Sequence, residues 1–286
     1  MKPELNAQLR ADIEQTVSRA LEEDLGSGDL TAQLLAPDGP ARGQIVTRER
    51  AVFCGRPWAE AAFRQIDSEL TLEWRVDDGD AIAAAEVLVE VQGRARSLVT
   101  AERTVLNFLQ LLSGTATIAH HYCKLVEGTD VKLLDTRKTL PGLRRAQKYA
   151  VGCGGGLNHR MGLYDAFLIK ENHIAAAGSI ADAIHRAREI AADKPVEVEV
   201  EQLDQLREAI AAQPDIVLLD NFTPEALRDA VAIVRNQPLS RQPKLEASGG
   251  IDASTVRVVA ETGVDYISIG NLTKHVKAID LSMRFI

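Results

Sequence analysis

The sequence predicts an α/β protein in two parts, a small α+β unit followed by an open, incomplete β/α barrel. Three observations carry the prediction. Short apolar runs alternate with helix-period stretches through the second half of the chain. Such alternation, with strands that must be buried, marks a parallel sheet covered by helices. Six of these strands are visible, fewer than the eight that close a full barrel. At 286 residues the chain has room for one large and one smaller domain.

The first stretch, Glu4 to Asp24, carries Leu5, Leu9, Ile13, Val17 and Leu21 at helical spacing, so an amphipathic helix is expected there. Gly26 and Gly28 stop it, and Asp29 or Thr31 can cap the next turn. From Gly43 to Val91, runs such as GQIVTRERAVFCG and LTLEWRVDDGD alternate like strands, with one helix near Pro57 to Ile66 between them. Thr100 to Val126 then reads as a long helix, apolar around most of its surface at Val105, Leu106, Phe108, Leu109, Leu111 and Leu112, and so buried. The domain boundary is expected at Ser113-Gly114, dividing 1–112 from 113–275, with the tail 276–286 returning to the first domain. The barrel strands are VKLLD (131–135), AFLIK (166–170), VEVEV (196–200), DIVLLD (215–220), KLEAS (244–248) and DYISIG (265–270). Helices are expected near 180–192, 202–212, 223–235 and 253–261. No Gly-x-Gly-x-x-Gly opens the first helix of this part, which speaks against dinucleotide binding.

Composition bounds the function classes. No apolar run approaches a membrane span, and the first twelve residues lack the apolar core of a secretory signal. Cys54, Cys123 and Cys153 are scattered and odd in number, so a disulfide framework is not expected and a reducing cytoplasm is the simplest setting. The net charge of −8 argues against nucleic-acid and membrane partners. That charge is uneven: between Lys132 and His173 eight Lys/Arg face three Asp/Glu, a local +5 in a remainder of about −13. A basic island in an acidic chain suits small anions.

In β/α barrels the active site lies at the C-terminal ends of the strands. Here those ends are Asp135-Thr136-Arg137-Lys138, Lys170-Glu171, the Glu197/Glu199/Glu201 face of the third strand, Asp220-Asn221, Ser248-Gly249-Gly250 and Gly270-Asn271. Every strand delivers a charged or phosphate-friendly group to one rim. Of the three glutamates, Glu199 is the expected functional one. Glu199 and Asp220 on neighbouring strands form a plausible pair for Mg²⁺, a hard cation that prefers oxygen and bridges phosphates. Ser248-Gly249-Gly250, before a helix, together with Ile269-Gly270 on the last strand, fits the usual phosphate site of such barrels. Arg137, Lys138, His159, Arg160 and Lys170 cluster on strand ends and adjacent loops, and arginine forks match carboxylates bidentately. Gly152 to Gly156, interrupted by Cys153, is either a mobile lid or a set of tight turns.

ERTVLNFLQLLSGTAT (102–117), DTRKTLPGLR (135–144), GGGLNHR (154–160), LIKENH (168–173), VEVEVE (196–201), LLDN (218–221) and SGGI (248–251) together resemble quinolinate phosphoribosyltransferases, also called nicotinate-nucleotide pyrophosphorylases (carboxylating). The likeness runs from EEDLGSGDLT (22–31) to the end, and the ordered set is specific where no single member is. The resemblance implies an N-terminal α/β sandwich, an open barrel of seven strands and a homodimer with shared active sites. It implies transfer of phosphoribose to quinolinate with loss of CO₂, giving nicotinate mononucleotide. By the same resemblance Arg103 reaches the neighbouring subunit's quinolinate site. Thr136, Arg137, His159, Arg160 and Lys170 bind the substrate, Lys138 and Lys170 lie near phosphoribosyl pyrophosphate, and Glu199 and Asp220 hold Mg²⁺ or the ribose hydroxyls. Ser248, Gly249 and Gly250 with Ser268, Ile269 and Gly270 hold the 5′-phosphate. The seventh strand is expected near 113–131 or 271–277. One departure is Ala83-Ala84-Ala85, where the family tends to place a glycine in the small domain's turn. The catalytic set is then Lys138, Lys170, Glu199 and Asp220. The alternative is a transferase of the same fold acting on nicotinate or another anion, but the density of Arg and His favours two carboxylates over one.

Overall fold

The computed structural model describes residues 3–286. The chain divides into two units, one of residues up to His121 with Thr139–Gly155 and Leu272–Ile286, the other Tyr122–Lys138 with Gly156–Asn271. Residues 139–155, expected in the barrel domain, therefore fold with the first unit.

The first unit opens with α1 (Ala7–Leu25), whose Asn6 side chain caps it by accepting the Leu9 N–H at 2.9 Å. Its buried stripe is Ile13, Val17 and Leu21. β1 (Pro40–Thr47), β2 (Ala51–Val52), α2 (Arg56–Ile66), β3 (Thr71–Trp74), β4 (Ala81–Ile82) and β5 (Val87–Arg94) follow. The long α3 (Ala95–Leu125) begins earlier than expected, because β5 runs into it with no Gly or Pro between. Leu98, Val105, Leu106, Leu109 and Leu112 of α3 are buried, as an all-round apolar helix requires. α3 passes unbroken through Ser113-Gly114. A Cβ at Gly114 would lie 2.2 Å from the Lys277 carbonyl oxygen, so only glycine lets that segment cross the helix.

The second unit carries β6 (Lys132–Leu134), β7 (Phe167–Ile169), β8 (Val196–Val200), β9 (Ile216–Asp220), β10 (Lys244–Ser248) and β11 (Tyr266–Ser268). Between β6 and β7 the chain returns to the first unit as α4 (Arg144–Cys153). The helices α5 (Glu171–Ala177), α6 (Ile180–Ile190), α7 (Leu203–Ala212), α8 (Pro224–Arg235) and α9 (Val256–Ala260) alternate with the later strands. The short α10 (Asn271–Lys274) and β12 (Leu281–Phe285) end the chain. β12 pairs with β1 in an antiparallel sheet of order β12-β1-β5-β3. β2 and β4 form a separate two-stranded ribbon.

Among the described residues the parallel sheet has six strands in the order β6-β11-β10-β9-β8-β7, so the first strand lies beside the last while β6 and β7 do not pair. The seventh strand implied by the resemblance is absent from both expected places: 113–125 is helix and 271–274 is the short α10. The free side of β6 is met by a single parallel bridge, Leu134 to Leu157. Two glycines before it, a Cβ at Gly154 would lie 2.4 Å from the Ala116 carbonyl oxygen, and Gly155 takes φ +97°. The glycine run is thus a tightly packed helix end and turn.

Candidate active site

Side chains on a strand alternate between faces, so residues two apart share the inside of the barrel. This rule builds a cavity of about 540 Å³ in the second unit. β7 contributes Leu168 and Lys170 just past its end, β8 Glu199, β9 Leu218 and Asp220, β10 Glu246 and Ser248, and β11 Ser268. Thr136, Arg137 and Lys138 follow β6, and His159 and Arg160 come from the segment running beside it. Val196, Val198 and Val200 of β8 are fully buried on the opposite face, which leaves Glu197 and Glu199 to the interior.

Backbone contacts fix the His159-Arg160 segment. Leu157 N–H donates to the Leu133 carbonyl at 2.8 Å, and Asp135 N–H to the Leu157 carbonyl at 3.1 Å. The buried Asp135 carboxylate accepts the His159 N–H at 2.9 Å. Asp165 accepts the N–H groups of Met161 (2.5 Å) and Gly162 (3.1 Å), closing the loop beyond. Burial and then the like charge of Arg137 push the Arg160 guanidinium down from its usual range, against the pull of Glu197 and Asp165. Two guanidiniums sharing a partly dry space favour an anion between them.

On the opposite side Lys170 Nζ donates to Glu199 Oε2 at 2.5 Å. Asn221 follows Asp220 at φ +56°, a left-handed conformation that asparagine tolerates. Its Nδ2 donates to Asp220 Oδ2 at 2.8 Å and its N–H to the Ser248 carbonyl at 2.9 Å, tying the ends of β9 and β10 together. Gly249 at φ +94° lies so close that a Cβ would meet Asn221 Oδ1 at 2.2 Å. Gly270 has the Lys138 side chain alongside, 3.1 Å from where a Cβ would be.

Family models match along nearly the whole chain: the quinolinate phosphoribosyl transferase N-terminal domain at residues 29–113 and its C-terminal domain at 115–284. The chain belongs to the quinolinate phosphoribosyltransferase family. It is 42% identical over 262 residues to the probable nicotinate-nucleotide pyrophosphorylase [carboxylating] of Bacillus subtilis, covering 91% of this chain and 89% of that protein. The Mycobacterium leprae nicotinate-nucleotide pyrophosphorylase [carboxylating] is also 42% identical, over 94% of this chain and 95% of its own. The solved structure of the nicotinate-nucleotide pyrophosphorylase from Francisella tularensis superposes with a TM-score of 0.93 at 48% identity, covering 97% of both chains. The resemblance seen in the sequence motifs is therefore a family relationship over both halves.

Ten of the residues predicted for the site line this one cavity: Thr136, Arg137, Lys138, His159, Arg160, Lys170, Glu199, Asp220, Ser248 and Ser268. The others differ in instructive ways. Arg103 is exposed on α3, in the first unit. Ile269 is buried, and its N–H donates to the Leu134 carbonyl at 2.9 Å, so that amide is not available to a phosphate. Gly249, Gly250 and Gly270, at the ends of β10 and β11, have only backbone to offer. The helix expected to begin at Ala253 begins at Val256 and has five residues, too short and too far from Gly250 to lend a helix dipole. His159 was expected among the substrate-binding residues; its Nδ1 accepts the Arg160 N–H at 2.8 Å and its Nε2 lies 2.8 Å from Glu197 Oε2. Sequence reasoning passed over Glu246 and chose Glu199 over Glu197. Glu246 sits in a strand read only as KLEAS, and a carboxyl two residues before a strand-end serine was the available signal.

Glu199, Asp220 and the hydroxyls of Thr136, Ser248 and Ser268 offer hard oxygen donors at one mouth, the donor chemistry that Mg²⁺ takes while keeping several waters. The residues present fit that ion.

Proposed function

We propose that this cavity binds quinolinate beside phosphoribosyl pyrophosphate and forms nicotinate mononucleotide, CO₂ and pyrophosphate, a step of NAD biosynthesis. What carries the reading is that Arg137, Lys138, Arg160 and Lys170 converge on one cavity that also holds Glu199 and Asp220. Four cations suit a dicarboxylate next to a polyphosphate, and two carboxylates suit the polar, cation-like ribose between them.

Arg137 and Arg160 grip the two quinolinate carboxylates and aim the pyridine nitrogen at C1 of the ribose. The nitrogen lone pair forms the N–C1 bond as the C1–O bond to pyrophosphate breaks. C1 passes through an oxocarbenium-like state that the Glu199 and Asp220 carboxylates stabilise electrostatically. Lys138 and Lys170 neutralise the departing pyrophosphate, and the amides and hydroxyls at Ser248–Gly250, Ser268 and Gly270 hold the 5′-phosphate. Glu199 and Asp220 would hold Mg²⁺, which when bound would supply further neutralisation of the leaving group's charge. The new pyridinium then accepts the electron pair left when the 2-carboxylate departs as CO₂. Orientation of two bound reactants is itself worth several kcal/mol in favourable cases, and no covalent nucleophile is required.

The same reading includes a homodimer in which Arg103 completes the partner's site, and a cytoplasmic setting. Its test is substrate grip. Arg137→Ala and Arg160→Ala each raise KM for quinolinate by about 10- to 100-fold, the loss of a charge-assisted hydrogen bond of about 1.5–3 kcal/mol, and change KM for phosphoribosyl pyrophosphate far less. Equal damage to both KM values would contradict the assignment.

A further inference from the structure

The first unit holds two thiols and a carboxylate that the reaction above does not use. Cys54 lies between β2 and α2, and Cys153 is the last residue of α4. Their sulfurs and an Asp78 carboxylate oxygen lie within 4.8 Å of one another, and both thiols are free. All three residues belong to the same unit.

The two thiols differ as the members of a reacting pair should. Cys54 is 0% exposed, whereas Cys153 is partly exposed. Burial first, then the contact with Cys153 and the charge of Asp78, push the Cys54 thiol well up, so it keeps its proton. Asp78 Oδ1 accepts the Gly55 and Arg56 N–H groups at 2.9 and 3.1 Å. Its Oδ2 accepts the Tyr149 O–H at 2.8 Å, which leaves that oxygen a lone pair for a further proton. Asp78 and Tyr149 also line an open cavity of about 470 Å³ with Arg10 and Arg56, so small molecules reach the edge of the group.

Cys54 is fixed in place. Its N–H donates to Ser113 Oγ at 2.9 Å, and that hydroxyl donates back to the Cys54 carbonyl at 3.1 Å. A Cβ at the neighbouring Gly55 would already touch Leu109 and Leu112. Cys153, at a helix end, is therefore the member that moves, and the chain runs on from it through Gly154–Gly156 to His159 and Arg160.

We propose that Cys54 and Cys153 are a peroxide-sensitive pair that closes into a reversible disulfide, and that closure displaces the segment leading to His159 and Arg160. The second half rests on the function assigned above. The Cys153 thiolate, its proton lost to solvent, attacks a hydroperoxide; the O–O bond breaks, leaving a sulfenic acid and hydroxide. The Cys54 sulfur then attacks the Cys153 sulfur as the S–O bond breaks. The Cys54 proton passes to Asp78 and on to the departing hydroxide, which leaves as water. Two thiols thus give two electrons to hydrogen peroxide, which becomes two waters, and a thiol reductant reverses the bond by exchange. Closure brings the sulfurs to about 2.05 Å and pulls on the end of α4. A metal ion is the rival occupant, but it would require both thiols ionised beside an ionised carboxylate in a buried place, whereas the disulfide is neutral.

The test treats reduced wild type, C123S and C153S with hydrogen peroxide and counts thiols after denaturation. Wild type falls from three free thiols per chain to one, C123S loses both of its thiols, and C153S keeps both. Reductant restores the lost thiols, and peptide masses show Cys54 joined to Cys153. On oxidation kcat/KM for quinolinate falls about tenfold or more in wild type and C123S, returns with reductant, and is unaffected in C153S. Three thiols surviving peroxide, a cross-link through Cys123, or Zn²⁺ that stays through dialysis with wild type and is lost from C153S would overturn the pair. A Cys54–Cys153 disulfide with unchanged kcat/KM would overturn the coupling. If C153S does not fold, the wild-type peptide masses and their reversal decide, since they need no variant. Reduced wild type that fails to turn over quinolinate overturns the assigned reaction, while thiol counts and peptide masses still decide the pair.

Discussion

Glu246 couples the active site to stability in a way that can be measured without substrate. Burial, and next the charge of Glu197, push its folded-state pKa up to about 8 from the ordinary glutamate value of 4.5, so between those pH values the native protein holds a proton that the unfolded chain has lost. Stability contributed by that protonation is fully present below about pH 4.5 and is lost as pH rises through 8. Denaturant unfolding of wild type relative to E246Q should therefore fall with pH by up to about 1.4 kcal/mol per unit across this window and level off above it. A pH-independent difference between the two proteins would place the proton elsewhere. At this scale the sequence is legible where a residue's position announces its chemistry. Lys170, Asp220 and Ser248 end strands, and an ionisable or hydroxyl group after an apolar run has few other uses. Glu246 was illegible because its meaning depends on Glu197 and His159, which are distant in sequence and meet only inside the barrel. His159 was half legible: that it lines the cavity could be read, but the backbone N–H that sets its tautomer could not.

The loops between strand and helix carry many of the groups proposed to bind substrate, and their geometry is specified by single positions. Gly249 combines a positive φ with a close approach to Asn221, so Gly249→Ala must both strain the backbone and displace that side chain. The expected result is about 1–3 kcal/mol of lost stability and a rise in KM for phosphoribosyl pyrophosphate greater than that for quinolinate. Unchanged kinetics for both substrates would show that this turn does not hold the phosphate. Periodicity located the strands of the parallel sheet because strands buried on both faces leave long apolar signatures. It failed at α3, which starts at Ala95 directly after β5 with no intervening loop, and at α9, where Asp252-Ala253-Ser254-Thr255 forms a turn before the helix begins. The implied seventh strand failed for another reason. One bridge at Leu157 performs its task of covering the edge of β6, and a single bridge has no periodic signature.

At the scale of the whole molecule, sequence spacing gave the alternation of elements but not which segments return across a division. Residues 139–155 leave the barrel order to join the first unit, and β12 closes its sheet against β1, pairings set by contacts remote in the chain. The proposed homodimer with shared sites makes a prediction here: Arg103→Ala and Lys170→Ala, each inactive alone, recover up to about a quarter of wild-type activity when mixed and allowed to exchange, since one of four sites in a random mixture is intact. No recovery in dimers shown to have exchanged would mean that each site is complete within one chain. In the proposed reaction, cations and strand-end glycines of one cavity act together on a dicarboxylate and a phosphoribosyl donor. Release of labelled CO₂ from quinolinate carrying the label in its 2-carboxylate tests it most directly. Release should require phosphoribosyl pyrophosphate and Mg²⁺ and match nicotinate mononucleotide one for one; absence of label release, with nicotinate consumed in place of quinolinate, would contradict the proposed reaction.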